Sequence, residues 1–139
     1  MTSPPNLRFI NPATIAKPPG YTHVIEVSGP GRTVYIAGQL GLDPDGKLAG
    51  TSGDFRAQAK QAFDNLKNAL AAVDAGFEHV VKLNNYLTNI RAHLPIYREV
   101  RDAYIKTANP PASTTVQVGE LAIPGALYEV EAIVALAPR

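Results

Sequence analysis

The spacing of apolar and polar positions changes period several times along the chain. Prolines at 4, 5, 12, 18 and 19 punctuate the first twenty residues, and each fixes its own backbone and turns its predecessor away from helix. This predicts an extended arm over 1–20 that docks on the surface without forming an element of its own, followed by a single domain over 21–139. Thr22 to Ser28, with Val24, Ile25 and Val27, reads as a strand. Gly29-Pro30-Gly31 turns the chain, and Thr33 to Leu40 alternates as a second strand. From Asp54 to Ala75 the period lengthens: Phe55, Ala59, Ala62, Phe63, Leu66, Leu70 and Val73 recur at three- and four-residue spacing, the signature of an amphipathic helix. Thr51 and Ser52 offer capping hydroxyls before it, and Gly76 stands where a left-handed cap would end it. Val80 to Thr88 returns to alternation. His93 to Lys106 reads as a second helix with Pro95 in its first turn, stopped by Asn109-Pro110-Pro111. Ser113 to Leu121 and Leu127 to Leu136 close the chain as strands around a Pro124-Gly125 turn.

The order is β-β-α-β-α-β-β, an α+β pattern in which two helices cover one face of a sheet and leave the other open. A half-open sheet of mixed polarity buries that face against something, and a second copy of the chain is the simplest cover.

Composition narrows the class. The chain has 139 residues, 45% hydrophobic and 18% charged, enough for one core and too polar for a membrane protein. Thirteen Lys+Arg against twelve Asp+Glu give a net charge of +1, which argues against a dedicated nucleic-acid binder. The absence of cysteine excludes disulfides, thiolate metal sites and thiol nucleophiles. Met1 to Tyr21 holds no apolar run long enough for a signal peptide or a spanning helix, and the expectation is a cytoplasmic protein.

Candidate chemistry is sparse. His23, His79 and His93 lack metal-ligand spacing, so no metal is expected. The Gly-rich stretch near residue 30 opens a hairpin and carries no Lys-Ser/Thr pair, so it cradles no phosphate. Ser113, Thr115 and Gln117 share one face of their strand, and Thr114, Val116 and Val118 the other. On the last strand Glu129 and Glu131 alternate with apolar residues. A partly buried carboxylate there would have its pKa raised and could deliver a proton near neutrality; the alternative is a pair of edge charges that block aggregation. Residue chemistry alone leaves both open.

The segments IAGQLGL (36–42), PPASTTVQV (110–118) and LYEVEAIVAL (127–136), in this order around two helices, resemble the Rid family of reactive intermediate deaminases, also called the YjgF type. The similarity runs from about Pro19 to the C-terminus. It implies a chorismate-mutase-like α+β fold, a homotrimer with a central barrel and helices outside, and a ligand cleft at each subunit interface. It also implies hydrolysis of enamines and imines to ketoacids and ammonia without a cofactor. Carried over by position, Tyr21 matches a cleft ring, Gly38 a glycine whose backbone lies against the ligand, and Glu129 a catalytic carboxylate that positions water or shuttles a proton. Ala37, Gln39, Tyr97, Ser113, Thr114 and Thr115 fall at the other substrate-contacting positions.

Several of these depart from the family pattern. Ser113 stands where deaminases carry an arginine that forks onto the substrate carboxylate, Thr115 replaces a cysteine, Ala37 a serine and Tyr97 an asparagine. Losing a buried guanidinium–carboxylate fork costs on the order of 2–5 kcal/mol. The implied reading is therefore a Rid-type hydrolase of altered specificity, either for a ligand neutral at that end or with another cation reaching in; Arg98, Arg101, Lys82 and Arg32 are the candidates. The alternative is a non-catalytic trimer that binds or senses a small metabolite. Phosphodiester chemistry has no support in a +1 chain with no histidine pair.

Overall fold

The computed structural model describes residues 6–139. Four strands form a mixed sheet. In chain order the elements are β1 (Asn6–Ile10), β2 (Val24–Ser28), β3 (Arg32–Leu40), helix α1 (Phe55–Ala71), β4 (Val80–Leu87), helix α2 (Ile90–Tyr104), β5 (Ala112–Gln117) and β6 (Tyr128–Leu136). The sheet order is β3-β6-β4-β5, and β1 and β2 form a separate two-stranded ribbon. β6 is antiparallel to both of its neighbours, whereas β4 and β5 run parallel, joined by the α2 crossover.

The proline-rich arm holds more structure than its composition predicts. Asn6 to Ile10 pairs antiparallel with β2, Leu7 opposite Val27 and Phe9 opposite Ile25. Residues 1–5 lie outside the described residues. The prolines bound the segment at 5 and 12 and leave six consecutive residues with N–H groups between them, enough for a five-residue ladder. Farther on, Thr22 N–H donates to Pro111 O at 3.2 Å and Thr22 Oγ1 to Pro110 O at 2.6 Å, fastening the arm beside the start of β5.

Helix α1 buries Phe55, Ala59, Ala62, Phe63, Leu66 and Leu70 against the sheet, each large side chain contributing about 1.5–3 kcal/mol on burial. Its cap is Asp54, whose Oδ1 accepts from Ala57 N–H at 3.0 Å, rather than Thr51 or Ser52. It ends four residues earlier than its pattern suggests, and Asp74 (φ 55°) supplies the left-handed turn while Gly76 is extended. Two polar residues face inward from α1. Buried Gln58 accepts from Leu127 N–H at 2.8 Å and donates to Gly125 O at 3.1 Å, and Asn65 donates to the carbonyls of Leu40 and Leu42. Together they fix the exit of β3 and the entry of β6.

Helix α2 starts three residues before its expected boundary. Ile90 N–H donates to Gln117 Oε1 at 2.9 Å, and Asn89 (φ 45°) turns the chain into the helix. Pro95 is thus the sixth helical residue and lies in the second turn. Ile90, Leu94, Tyr97, Arg101 and Tyr104 carry the three- and four-residue spacing back past the proline. β5 stops at Gln117, four residues short of its expected end.

Alternation on the strands separates the two faces. Val130, Ala132 and Val134 of β6, with Leu83 and Leu87 of β4, are buried under the helices. Glu129, Glu131 and Ile133 point the other way, as do Lys82, Asn84 and Tyr86. Among the described residues no helix covers that second face, and Tyr35 is 77% exposed and Val116 42% exposed.

Candidate active site

The start of β5, the inner face of α2 and the end of the arm converge on a cleft of about 320 Å³. Tyr21 and Pro19 come from the arm, Ile90, Leu94, Tyr97, Arg98 and Arg101 from α2, and Ser113, Thr114 and Thr115 from β5. The arm brings Tyr21 here because Thr22 is tied to Pro110 and Pro111, and its ring meets His23 edge-on at 5.4 Å. Five of the nine residues singled out from the sequence therefore share one wall: Tyr21, Tyr97, Ser113, Thr114 and Thr115.

A buried amide supports that wall. Asn85, wholly buried on β4, donates through Nδ2 to Ser113 Oγ (3.1 Å), Thr115 Oγ1 (3.3 Å) and Thr114 O (3.3 Å). Its Oδ1 accepts from the buried Tyr128 hydroxyl at 2.7 Å. Sequence reasoning passed over Asn85; the signal was an amide at a position that strand alternation assigns to the core, where a polar group must find partners. Tyr97 packs beside Tyr128 (5.6 Å between centroids) and is 1% exposed, yet its hydroxyl has no hydrogen-bond partner. Burial raises its pKa against the opposing pull of Arg101 and of the Ser113 and Thr115 hydroxyls beside it, so the phenol stays protonated.

The corner that Ser113 leaves without a strand cation is not free of positive charge. The Arg101 guanidinium stands 5.7 Å from the Tyr97 ring centroid, and its side chain is 12% exposed. Gly20 (φ +86°) lies so close that a Cβ there would come within 2.6 Å of Arg101 Nη2. Arg98 lines the same cleft from the exposed side of α2. The other two candidate cations are elsewhere: Lys82 donates to Thr114 Oγ1 on the open face, and Arg32 Nε donates to Ala137 O.

The remaining site residues form a second group on β3 and β6. The β3–β6 register breaks between Ile36 and Gln39, placing Ala37 and Gly38 in a bulge. A Cβ on Gly38 would overlap the Glu129 carboxylate, so only glycine lets that side chain lie across β3. Gln39 folds back to donate to Ala37 O at 3.1 Å. The two glutamates differ: Glu131 accepts from Tyr86 Oη (3.1 Å) and Asn84 Nδ2 (3.3 Å), while Glu129 has no side-chain partner among the described residues. Glu129 is opposite Tyr86, which is opposite Val116, so it sits two strands, roughly 10 Å, from β5. It also projects from the opposite face of the sheet to Ser113 and Thr115. Within one chain the carboxylate and the hydroxyl-lined wall do not meet.

The histidines serve local structure. His93 Nδ1 lies 2.6 Å from Thr88 O and its ring stacks on Phe55 at 4.3 Å, His79 Nδ1 accepts from Gly76 N–H, and His23 Nε2 lies 2.6 Å from Ala16 O. A larger cavity of about 530 Å³ is formed by the arm, walled mainly by prolines and aliphatic side chains with Lys17, and shares only Tyr21 with the cleft. Among the described residues no helix is long and apolar enough to cross a membrane.

The model of the family described as endoribonuclease L-PSP, the Rid or YjgF group, matches residues 12–136. The chain belongs to the Rid family. Similar Rid relatives include the 2-iminobutanoate/2-iminopropanoate deaminase of Homo sapiens, 36% identical over 128 residues and covering 88% of each chain. Protein DfrA of Myxococcus xanthus is 37% identical over 113 residues, covering 81% of this chain and 82% of that protein. Among solved structures, the Rid protein YyfB from Yersinia pestis superposes with a TM-score of 0.82 at 36% identity, covering 94% of this chain and 99% of the other. RidA from Psychrobacter gives a TM-score of 0.67 at 35% identity, with coverages of 86% and 90%. The mixed sheet with two helices on one face is thus the fold that Rid proteins share.

Proposed function

We propose that this Rid protein hydrolyses an enamine, imine or related reactive metabolite without a cofactor, in a cleft that a second copy of the chain completes within a homotrimer. The observation that carries the reading is the division of the site: a hydroxyl-lined wall on one face of the sheet and an unpaired carboxylate, cleared by Gly38, on the other. The open face that bears the carboxylate also bears exposed Tyr35 and Val116, side chains that suit burial against a copy. The deaminase name of the human relative gives the reaction class.

In this reading Tyr21 and Tyr97 pack the ligand, and Ser113 and Thr115 orient it by hydrogen bonds. Glu129 of the facing copy takes a proton from water as the oxygen adds to the C=N carbon. It passes that proton to nitrogen to give the carbinolamine and then carries the hydroxyl proton to nitrogen as the C–N bond breaks, so imine and water give a carbonyl compound and ammonia. The alternation of Ala37 and Gly38 out of the β6 ladder leaves backbone N–H groups beside the same carboxylate to bind developing charge.

Ammonia release from imines generated by an amino-acid oxidase tests the reading. The protein should exceed the uncatalysed rate on at least one of them, and Glu129→Gln should lose about 10²–10⁴-fold of that acceleration. Acceleration of none of them would refute deamination of 2-imino acids and favour the non-catalytic binding trimer. A solution mass of one chain by light scattering would remove the shared cleft.

A further inference from the structure

The cleft wall is built around a cation that nothing among the described residues fully satisfies. Arg101 carries five N–H donors, and the structure gives one of them, on Nε, to Asp102 Oδ1 at 3.0 Å, with Nη2 2.9 Å from the same oxygen as an ion pair. The Arg101 side chain is 12% exposed and Asp102 is 66% exposed, so the partner is mostly in water while the guanidinium is mostly not. Beside it the Tyr97 hydroxyl is buried with no partner, and Ser113 and Thr115 present hydroxyls that are half-buried. A buried donor left unpaired is costly; here it belongs to a residue that lines the cavity beside an arginine fork, the pairing that recognises carboxylates.

We propose that Arg101 is the specificity-determining residue of this cleft: it holds a carboxylate of the ligand, with Asp102 as the counter-ion it exchanges for that group. The inference takes the cleft to be the substrate site of the hydrolase proposed above and names its substrate class, an imine that bears a carboxylate next to an apolar side chain. Arg101 reaches the cleft from α2, one helical turn beyond Tyr97, and Ile90 and Leu94 supply the apolar wall on the same helix face. The Tyr97 hydroxyl is then the second donor to the same carboxylate. Arg98 adds charge from the exposed rim but is not enclosed.

The test is calorimetric and needs no turnover. The probes are isovalerate and its neutral amide, isovaleramide, which share a shape and differ in charge. The native protein should bind the acid at least about tenfold more tightly than the amide, and Arg101→Met should weaken the acid by about 30-fold or more while leaving the amide unchanged. Arg101→Lys keeps the charge and loses the fork, and should fall between the two. Asp102→Asn should tighten the acid several-fold, which a purely structural Arg101 would not produce. Should Arg101→Met fail to fold, judged by its circular dichroism, the Lys and Asn variants decide.

No acid preference in the native protein, an Arg101→Met variant that keeps it, or an Arg101→Lys variant that keeps it undiminished, would overturn the assignment. The two proposals fail separately. Acid preference lost with Arg101 in a protein that turns over no imine refutes the hydrolase and upholds Arg101. Turnover of a 2-imino acid with KM unchanged in Arg101→Met refutes Arg101 and upholds the hydrolase.

Discussion

The Asn85–Tyr128 bond should account for a measurable share of stability, and removing both of its ends should hurt less than removing either end twice over. Both side chains are 0% exposed and the Tyr128 hydroxyl donates to Asn85 Oδ1 at 2.7 Å. Tyr128→Phe leaves that amide oxygen buried and unpaired, at about 1–3 kcal/mol. Asn85→Leu, nearly isosteric, leaves the Tyr128 hydroxyl in the same state at a similar cost of about 1–3 kcal/mol. Ser113 and Thr115 line the cleft and can turn their hydroxyls to solvent, so losing the Asn85 donor adds little there. In the double variant neither orphan exists, and the pair should couple by about 2 kcal/mol, against a total of roughly 5–15 kcal/mol for a domain. Urea unfolding of the four proteins at one fixed protein concentration reads this directly, because 2 kcal/mol moves the midpoint by about 1 M. Additivity within about 0.5 kcal/mol would refute the claim that the bond, rather than two independent packing sites, supports this wall.

Gly38→Ala should push the Glu129 carboxylate off β3 while leaving the fold intact, since the overlapping atoms are mainly the end of a flexible side chain. Imine hydrolysis should fall about 10²-fold, and adding Gly38→Ala to Glu129→Gln should cost nothing further; a larger drop in the double variant would mean that Gly38 acts elsewhere. Tyr104 is pushed up to about 12 by burial and by the 2.7 Å bond to Asp64. A raised folded-state pKa contributes stability below the ordinary tyrosine value of 10 that is lost as pH climbs from 10 towards 12. Urea midpoints at pH 8 and pH 11.5 should therefore fall less for Tyr104→Phe than for the native protein, and equal falls would assign the alkaline loss to other groups.

How much of this was legible in the sequence follows from the range of each signal. Period is a local signal, and it located both long helices and every strand of the main sheet within a few residues. Where a single residue decides a boundary, period is blind. Pro95 suggested a helix start, although the apolar face ran back past it to Ile90; Gly76 suggested a cap that Asp74 provides. The β1 strand was hidden because five prolines dominated the composition of the arm, whereas pairing depends on which N–H groups survive between them. Alternation also separated Ser113 and Thr115 from Thr114, and Glu129 and Glu131 from the core.

Alternation is silent on which of two like residues is already engaged, and the site turns on that distinction. Glu131 and Glu129 share a face and a residue type, yet Tyr86 and Asn84 occupy one and leave the other unpaired. The cations pose the same problem. Arg32, Lys82, Arg98 and Arg101 are equivalent as charges in a string, and only their neighbours distinguish them. Arg32 and Lys82 bond to groups of their own elements' surroundings, Arg98 faces outward, and Arg101 is enclosed by Gly20 and Tyr97. The enclosure needs three separate segments at once: a glycine in the arm, an aromatic one turn earlier on α2, and a small residue, Ser113, on β5. A strand arginine at 113 would project into the space beside Tyr97 that these residues share, so a serine there and an inward-facing arginine on α2 are two halves of one arrangement. Read singly, Ser113 is a strand position without a charge; read with Arg101, it is a small side chain on the wall where a guanidinium stands from the helix.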